Sequence, residues 1–514
     1  FDKILTPTGQ VATKPKTIHN VITHHFAHRF QRPPDAHPLV AALQNNPQLR
    51  HDIVTGTVTA ADLPTSTVPI RFKELFLRAT SDTHNRPMLQ QTIERELAAP
   101  PTFTDYLNLI KALPTGKSPG LTGVSINMIK KWPDEVHELA YNLMNCMWKE
   151  RYVPPWWKDM WQSMIPKKEG LLQPQDLRPI ALLEVTRKIW TSLILRKLTP
   201  IWDRNKTLQQ NQHAYTPGVG TDTALLQFIN CLEEATEMDT NLYYSSWDNA
   251  KAFDTPTPEM MALAFETKGL PEKEIQYFSE LDVGGKAYIK SPWARCFKDT
   301  LTPVTHFTKE IGIGQGDPKS GIAWRILFDI QLKMLALANT NDFIFQTPPN
   351  FITKQKPIAF ADDLLSIHKT STKLQQEADV ISAGMALLGI RLKAQSIHIG
   401  ARKMEENGPT HITIRDWTWT PHEIKIEYQD HSLLRYLGLH LKLNKTQGDQ
   451  KMLLAQKQHD ALSLLLKARA KPQNKWTIMR AAIYPTITYA AKFCNWSLGA
   501  VSYTHLTLPT KRIV

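Results

Sequence analysis

The chain predicts an α+β fold, a sheet of short strands with helices packed around it. Two observations carry this. Strand-like runs of aromatic, β-branched and alternating apolar residues recur at 242–247 and 358–367, and both carry acids at their ends. Longer stretches with apolar residues at helical spacing surround them. Asp248 falls where the first strand ends. Asp362 and Asp363 fall at the tight turn between two short strands, with Ile358 and Phe360 before them and Leu364, Leu365 and Ile367 after. Acids so far apart in sequence can meet only if the strands share a sheet. Adjacent carboxylates repel unless positive charge neutralises them, and a divalent cation that prefers oxygen ligands is the usual solution. Three acids so arranged are what a two-metal phosphoryl-transfer centre needs. There, cations roughly 4 Å apart activate a hydroxyl and stabilise the leaving oxygen. The alternatives are an ordinary surface turn for the Asp pair and a helix N-cap for Asp248.

The other elements follow in order. Residues 1–67 are polar, rich in His, Pro and Thr, and weakly periodic, which reads as a solvated or linker stretch. His19, His24, His25 and His28 invite a metal reading, but no Cys stands nearby at zinc spacing. Residues 71–97 read as helical with a polar break, and 104–113 as a short amphipathic helix before the glycine-bearing loop 116–123. Asp134 can cap a helix to residue 150 with Val136, Leu139, Ala140, Leu143 and Met147 on one face. Residues 162–166 form a strand, and 185–202 and 224–237 form helices. After the Asp pair come a helix at 375–388, a strand at 391–399, and basic helices at 450–467 and 476–493.

The blocks around the acids resemble those of reverse transcriptases. Asp248-Asn249-Ala250-Lys251-Ala252-Phe253-Asp254 and Phe360-Ala361-Asp362-Asp363 are similar to the family's two metal-binding motifs. Lys117-Ser118-Pro119-Gly120-Leu121-Thr122-Gly123 resembles a block of non-LTR retrotransposon polymerases, with Thr122 in place of the usual Asp. Further blocks appear in the family's order: residues 165–170 with 176–183, Gln212 to Tyr215 with Gly218, Gly220 and Thr221, Gly314 to Gly321, and Arg435 to Gly438. The resemblance runs from about residue 101 to about 496.

The resemblance implies a right-handed fingers–palm–thumb polymerase with an antiparallel palm sheet flanked by helices. It divides the chain into an N-terminal extension (1–100, helical and partly disordered), fingers and palm (101–442), and a thumb-like helical region (443–500). It also implies an RNA-directed DNA polymerase of a non-LTR retrotransposon, with an RNA template, a DNA primer, dNTPs and two Mg²⁺ ions, Mn²⁺ being the alternative. Asp248, Asp362 and Asp363, with Asn249 through its backbone carbonyl, would hold the metals. Lys167, Lys168 and Arg178 would grip the triphosphate, Arg through its fork geometry. Gln315 and Gly316 would contact the nucleotide. Phe253 would oppose a 2′-hydroxyl; the alternative is a core Phe. Lys393 stands where the family has Asn, and the family's later Lys is missing or shifted, so Lys393 is the nearest candidate for the proton donor. Lys457, Lys467 and Lys471 would track a duplex backbone; the alternative is a solvated helix face. Two other readings stay open. One is a group II intron-type reverse transcriptase. The other is a catalytically impaired, element-derived nucleic-acid-binding protein.

Composition agrees. The 514 residues carry a net charge of +13, with Lys and Arg outnumbering Asp and Glu by 61 to 48, and a basic surface attracts phosphate. Cys146, Cys231, Cys296 and Cys494 are too scattered for a zinc site or a disulfide framework, which suggests a reducing compartment, cytoplasmic and nuclear. No apolar run approaches a membrane span. Residue 1 is Phe, so a natural start upstream is expected. Residues 501–510 resemble a reading frame of a sequencing-library adapter, which makes 501–514 an expected artefactual tail.

Overall fold

The computed structural model describes residues 3–494 except 35–36, 66, 250, 291–305, 348–350, 406–407, 417–418, 420–422, 429–432 and 444–447. The tail 501–514 and Cys296 lie outside the described residues. The central sheet is antiparallel and four-stranded, in the order Ile358–Phe360, Asp363–His368, Tyr243–Asp248, His398–Ala401. Register places Asp363 directly opposite Asp248. Side chains alternate across a strand, so Tyr243 and Trp247 enter the main core while Tyr244 enters a second core on the other face. Leu364 and Leu365 divide the same way. Both faces are therefore covered. The apolar helix Ser320–Ala338 and the helix Ser371–Leu387 belong to the main core, and the helix Thr221–Glu237 to the second.

A second sheet has Met160–Pro166 at its centre. It pairs antiparallel with Leu177–Leu182 and parallel with Lys286–Lys290, and the latter pairs with His306–Thr308. Against this sheet lies the helix Pro15–Phe30, whose Ile18, Ile22, Phe26 and Phe30 are fully buried with Met160, Leu177, Ala287 and Phe307. Phe30 stacks on Phe307 with centroids 5.8 Å apart. The early segment is therefore not simply a solvated or linker stretch. Its apolar positions recur at every fourth residue, a narrow stripe that the intervening His and Thr dilute. Pro38–Asn45, Pro47–Thr55, Ile70–Thr80 and Arg86–Ala98 are also helices, and each contributes residues to the main core. At the other end, the hairpin Leu433–Tyr436/Leu439–Lys442 and the helices Gly448–Lys467 and Tyr484–Ala491 close the second core. A wide π-helical turn, Met479–Ile483, joins Pro472–Ile478 to Tyr484–Ala491.

Most helices lie within a few residues of expectation, among them Phe103–Ala112, Asp134–Lys149 and Val185–Arg204. Two expectations fail. The strand expected at 391–399 is confined to His398–Ala401, because residues 394–396 wind into a 3₁₀ turn. The helix Asp134–Lys149 buries His137, Met144, Met147 and Trp148, whereas Val136, Leu139 and Leu143 of the expected apolar face are exposed. Its buried face is built from the larger Trp and Met side chains, and Trp148 also meets Tyr277 edge-on at 5.1 Å.

Candidate active site

The acids sit at a hairpin tip whose backbone is tightly held. Phe360 pairs with Asp363, and Ala361 takes the left-handed φ of 54°. A residue with a Cβ pays roughly 1–2 kcal/mol for that conformation, so surrounding contacts must fix it. Gln212, 1% exposed, supplies most of them. Its amide oxygen accepts from the Ala361 N–H at 2.9 Å, and its amide nitrogen donates to the Ala361 carbonyl at 3.0 Å. The Trp324 indole donates to the same carbonyl at 2.8 Å. Asn249 donates its side-chain amide to the Asp362 carbonyl at 2.9 Å. The Gln212 block is itself pinned to the strand: the His213 N–H donates to the Ala359 carbonyl at 2.8 Å, and Ala359 donates to Asn211 at 2.9 Å. Glutamine is the side chain that can both accept and donate at one peptide.

The carboxylates repel one another. Burial first, then the charges of Asp362 and Asp248, push the Asp363 pKa up to about 7. Burial, with Asp248, pushes Asp362 up to about 6, against the pull of Arg178. As the side chains lie, no three His, Cys, Asp or Glu groups among the described residues converge at ligating spacing. The donor set nevertheless fits a hard divalent cation. All the groups offer oxygen, Asp248 and Asp363 face each other across the strand pair, and the Asn249 Oδ1 is buried without a hydrogen-bond partner. Buried Tyr436 stands within electrostatic range of Asp363, and its phenol is pushed up by burial and by that charge.

The remaining sequence-predicted residues are disposed unevenly. Phe253 lies between Trp324 (ring centroids 5.7 Å apart) and Tyr215 (6.4 Å), in the loop after Asp248. The Gln315 carbonyl accepts from the Ala181 N–H at 2.7 Å, so its block lies beside the strand Leu177–Leu182. Gly316 has φ 124°, and a Cβ there would meet the Ala181 carbonyl at 2.4 Å, so glycine is required. Arg178 is exposed and within electrostatic range of Asp362. Lys167 and Lys168 part company. Lys168 bridges Asp176 at 3.0 Å. Lys167 is held below its ordinary range by burial and by the nearby charges of Arg29, Arg178 and Lys393. Lys393 is exposed at the start of the 3₁₀ turn, among these cations, and no contact joins it to the acids. Lys457, Lys467 and Lys471 are all exposed on the C-terminal helical region.

Several supporting residues carried no local signal. Asp254 is buried and ion-paired with Arg29, which is brought in by the helix Pro15–Phe30. Burial raises the Asp254 pKa, against the pull of Arg29. Asp317 is buried against Arg187 and accepts from the Lys319 N–H at 3.0 Å, anchoring the approach to the helix Ser320–Ala338. Glu184 accepts from the Thr122 N–H at 2.9 Å and from its hydroxyl at 2.6 Å. The loop with Thr in place of Asp is thus docked by a carboxylate from elsewhere. Gln212 and Trp324 were legible only as members of apolar or block patterns, not as clamps on the Asp turn.

Residues 165–441, more than half of the chain, match the family described as Reverse transcriptase (RNA-dependent DNA polymerase). The chain belongs to the reverse transcriptase family. It is 21% identical over 69% of its length to a transposon TX1 uncharacterized 149 kDa protein of Xenopus laevis, of which it covers 25%. It is 23% identical over 68% of its length to a retrovirus-related Pol polyprotein from a type-1 retrotransposable element R2 of Nasonia vitripennis, covering 32% of that protein. The R2DM polyprotein of Drosophila melanogaster is also 23% identical, over 66% of the chain and 30% of the relative. The resemblance to non-LTR retrotransposon reverse transcriptases holds, and the chain spans a quarter to a third of these relatives' length. The family works with divalent metal ions. No helix among the described residues is long and apolar enough to cross a membrane.

Proposed function

We propose that the chain is the RNA-directed DNA polymerase portion of a non-LTR retrotransposon protein, extending a DNA primer on an RNA template. The observation that carries this is the pairing of Asp248 with Asp363 across adjacent strands, with Asp362 on the clamped turn beside them. In this reading the central sheet is the palm, and the sheet around Met160–Pro166 belongs to the fingers. The helices from Gly448 to Ala491 form the thumb. Asp248, Asp362, Asp363 and Asn249 would hold two divalent ions, which when bound lower the pKa of the primer 3′-hydroxyl and neutralise transition-state charge. Gln212, Trp324 and Asn249 hold the turn that presents Asp362. Arg178 and Lys167 face the nucleotide's phosphates. Phe253, wedged between two aromatic rings, has little freedom to move aside for a 2′-hydroxyl. The protein would work inside the cell, in cytoplasm and nucleus.

The test is primer extension with an RNA template, a DNA primer, dNTPs and Mg²⁺. Asp248→Asn and Asp362→Asn should each slow extension by roughly a thousandfold or more, since each removes charge stabilisation at the reacting phosphate. Template binding with no extension by the wild-type chain would favour the reading of an impaired nucleic-acid-binding protein. Near-wild-type extension by either variant would overturn the assignment of the acids.

A further inference from the structure

The helix Pro15–Phe30 buries one stripe and turns another toward a groove of about 590 Å³. His24, His25, His28 and Arg29 line the groove from the helix, and Lys251 lines it from the loop after Asp248. His24 and His28 meet edge-on, with centroids 4.6 Å apart. The Arg29 side chain is only 4% exposed. One of its terminal nitrogens pairs with Asp254, while its Nε and Nη1 are buried without a hydrogen-bond partner. The His25 Nε2 is in the same position. Buried polar groups left unpaired are costly. What the unpartnered guanidinium nitrogens lack is an acceptor, and with Lys251 beside them an anion suits the groove.

The groove also continues a line of positive charge. Arg178 acts on Asp362. Lys167 lies within electrostatic range of Arg178 and Arg29, and Lys251 within range of Lys167, Arg29 and Arg391. Asp254, already paired with Arg29, is the acid that acts on both lysines. An anion departing from the three acids would meet cations all the way to the groove. We propose that this groove takes the inorganic pyrophosphate released by nucleotide addition, a role that rests on the polymerase reading. In that step the primer 3′-oxygen forms a bond to the α-phosphorus. The bond from that phosphorus to the bridging oxygen breaks, its electron pair leaves with pyrophosphate, and the hydroxyl proton passes to solvent. A compact, highly charged anion suits donors that converge from one helix and one loop. A nucleic-acid strand would instead need contacts spread along a path.

The experiment measures binding of sodium pyrophosphate to the purified chain by calorimetry, without divalent metal, nucleotide or nucleic acid. The double variant His25→Leu/Lys251→Met should bind at least tenfold more weakly while melting like wild type. Lys403→Gln, at a lysine paired with Asp239, should bind unchanged. Pyrophosphate inhibition of primer extension should weaken in the double variant by a similar factor. A wild-type chain that binds no pyrophosphate, or a double variant that binds it normally, overturns the proposal. Pyrophosphate binding by a chain that extends no primer overturns the product role and the polymerase reading together, but is distinguishable from an empty groove. A single-stranded oligonucleotide that binds in a variant-sensitive way and is not displaced by pyrophosphate would reassign the groove to a nucleic-acid strand.

Discussion

The Asp362 turn and the basic C-terminal helices answer two different demands. At the turn, one strained segment is held by three side chains, and both polar atoms of the Gln212 side chain bond Ala361, the amide oxygen accepting from the Ala214 N–H as well. In the C-terminal helical region, Lys457, Lys467 and Lys471 stand exposed to solvent. Phosphoryl transfer is sensitive to misplacement of about 1 Å, so its carboxylates need a rigid mount. Attraction to a phosphate backbone works through counterion release, which counts charges and tolerates movement. Fixed position and diffuse charge are therefore built by different means in the same chain.

Three variants probe that contrast. Gln212→Leu keeps much of the volume but leaves the Ala361 peptide unclamped. It should lower the extension rate on the order of a hundredfold, with little change in the apparent KM for dNTP. A loss confined to thermal stability would make Gln212 merely structural. Neutralising Lys457, Lys467 and Lys471 together should weaken primer–template binding about tenfold and reduce the salt slope by roughly two to three, while kcat at saturation holds. A steep loss of kcat would mean these lysines are positioned as strictly as the acids. The smallest effect is at Phe253. Phe253→Val should raise ribonucleotide incorporation several-fold relative to dNTP use, read from paired primer extensions. An unchanged preference would return Phe253 to packing against Trp324 and Tyr215.

What the sequence made legible follows the same division. Asp248, Asp362 and Asp363 could be singled out because the proposed chemistry asks for those residue types at strand ends. The long helices were legible from local periodicity. The support was not. Arg29 looks like any surface cation until the fold buries it against Asp254, and Glu184 gives no sign that it will hold the loop at Thr122. The face of the helix Asp134–Lys149 was misassigned because local amphipathicity does not say which of two apolar stripes a distant partner will cover. The segment at 391–399 had strand-like composition, yet the residues before His398 wind into a 3₁₀ turn, and only His398–Ala401 pairs with Tyr243–Asp248.

The Arg29–Asp254 pair also bears on how the chain is made. Its members are 225 residues apart. At about 5–20 residues per second, a ribosome needs roughly 10–45 s to travel between them. For that time the first helix has neither its ionic partner nor most of the sheet that will cover Ile18, Ile22 and Phe26. The loop that follows Asp248 closes onto a helix already made, and the strands Lys286–Lys290 and His306–Thr308 that also cover this helix are made later still. Assembly of the catalytic region is therefore a late event in synthesis, and a nascent chain stalled before residue 254 would expose an apolar stripe to chaperones and proteases.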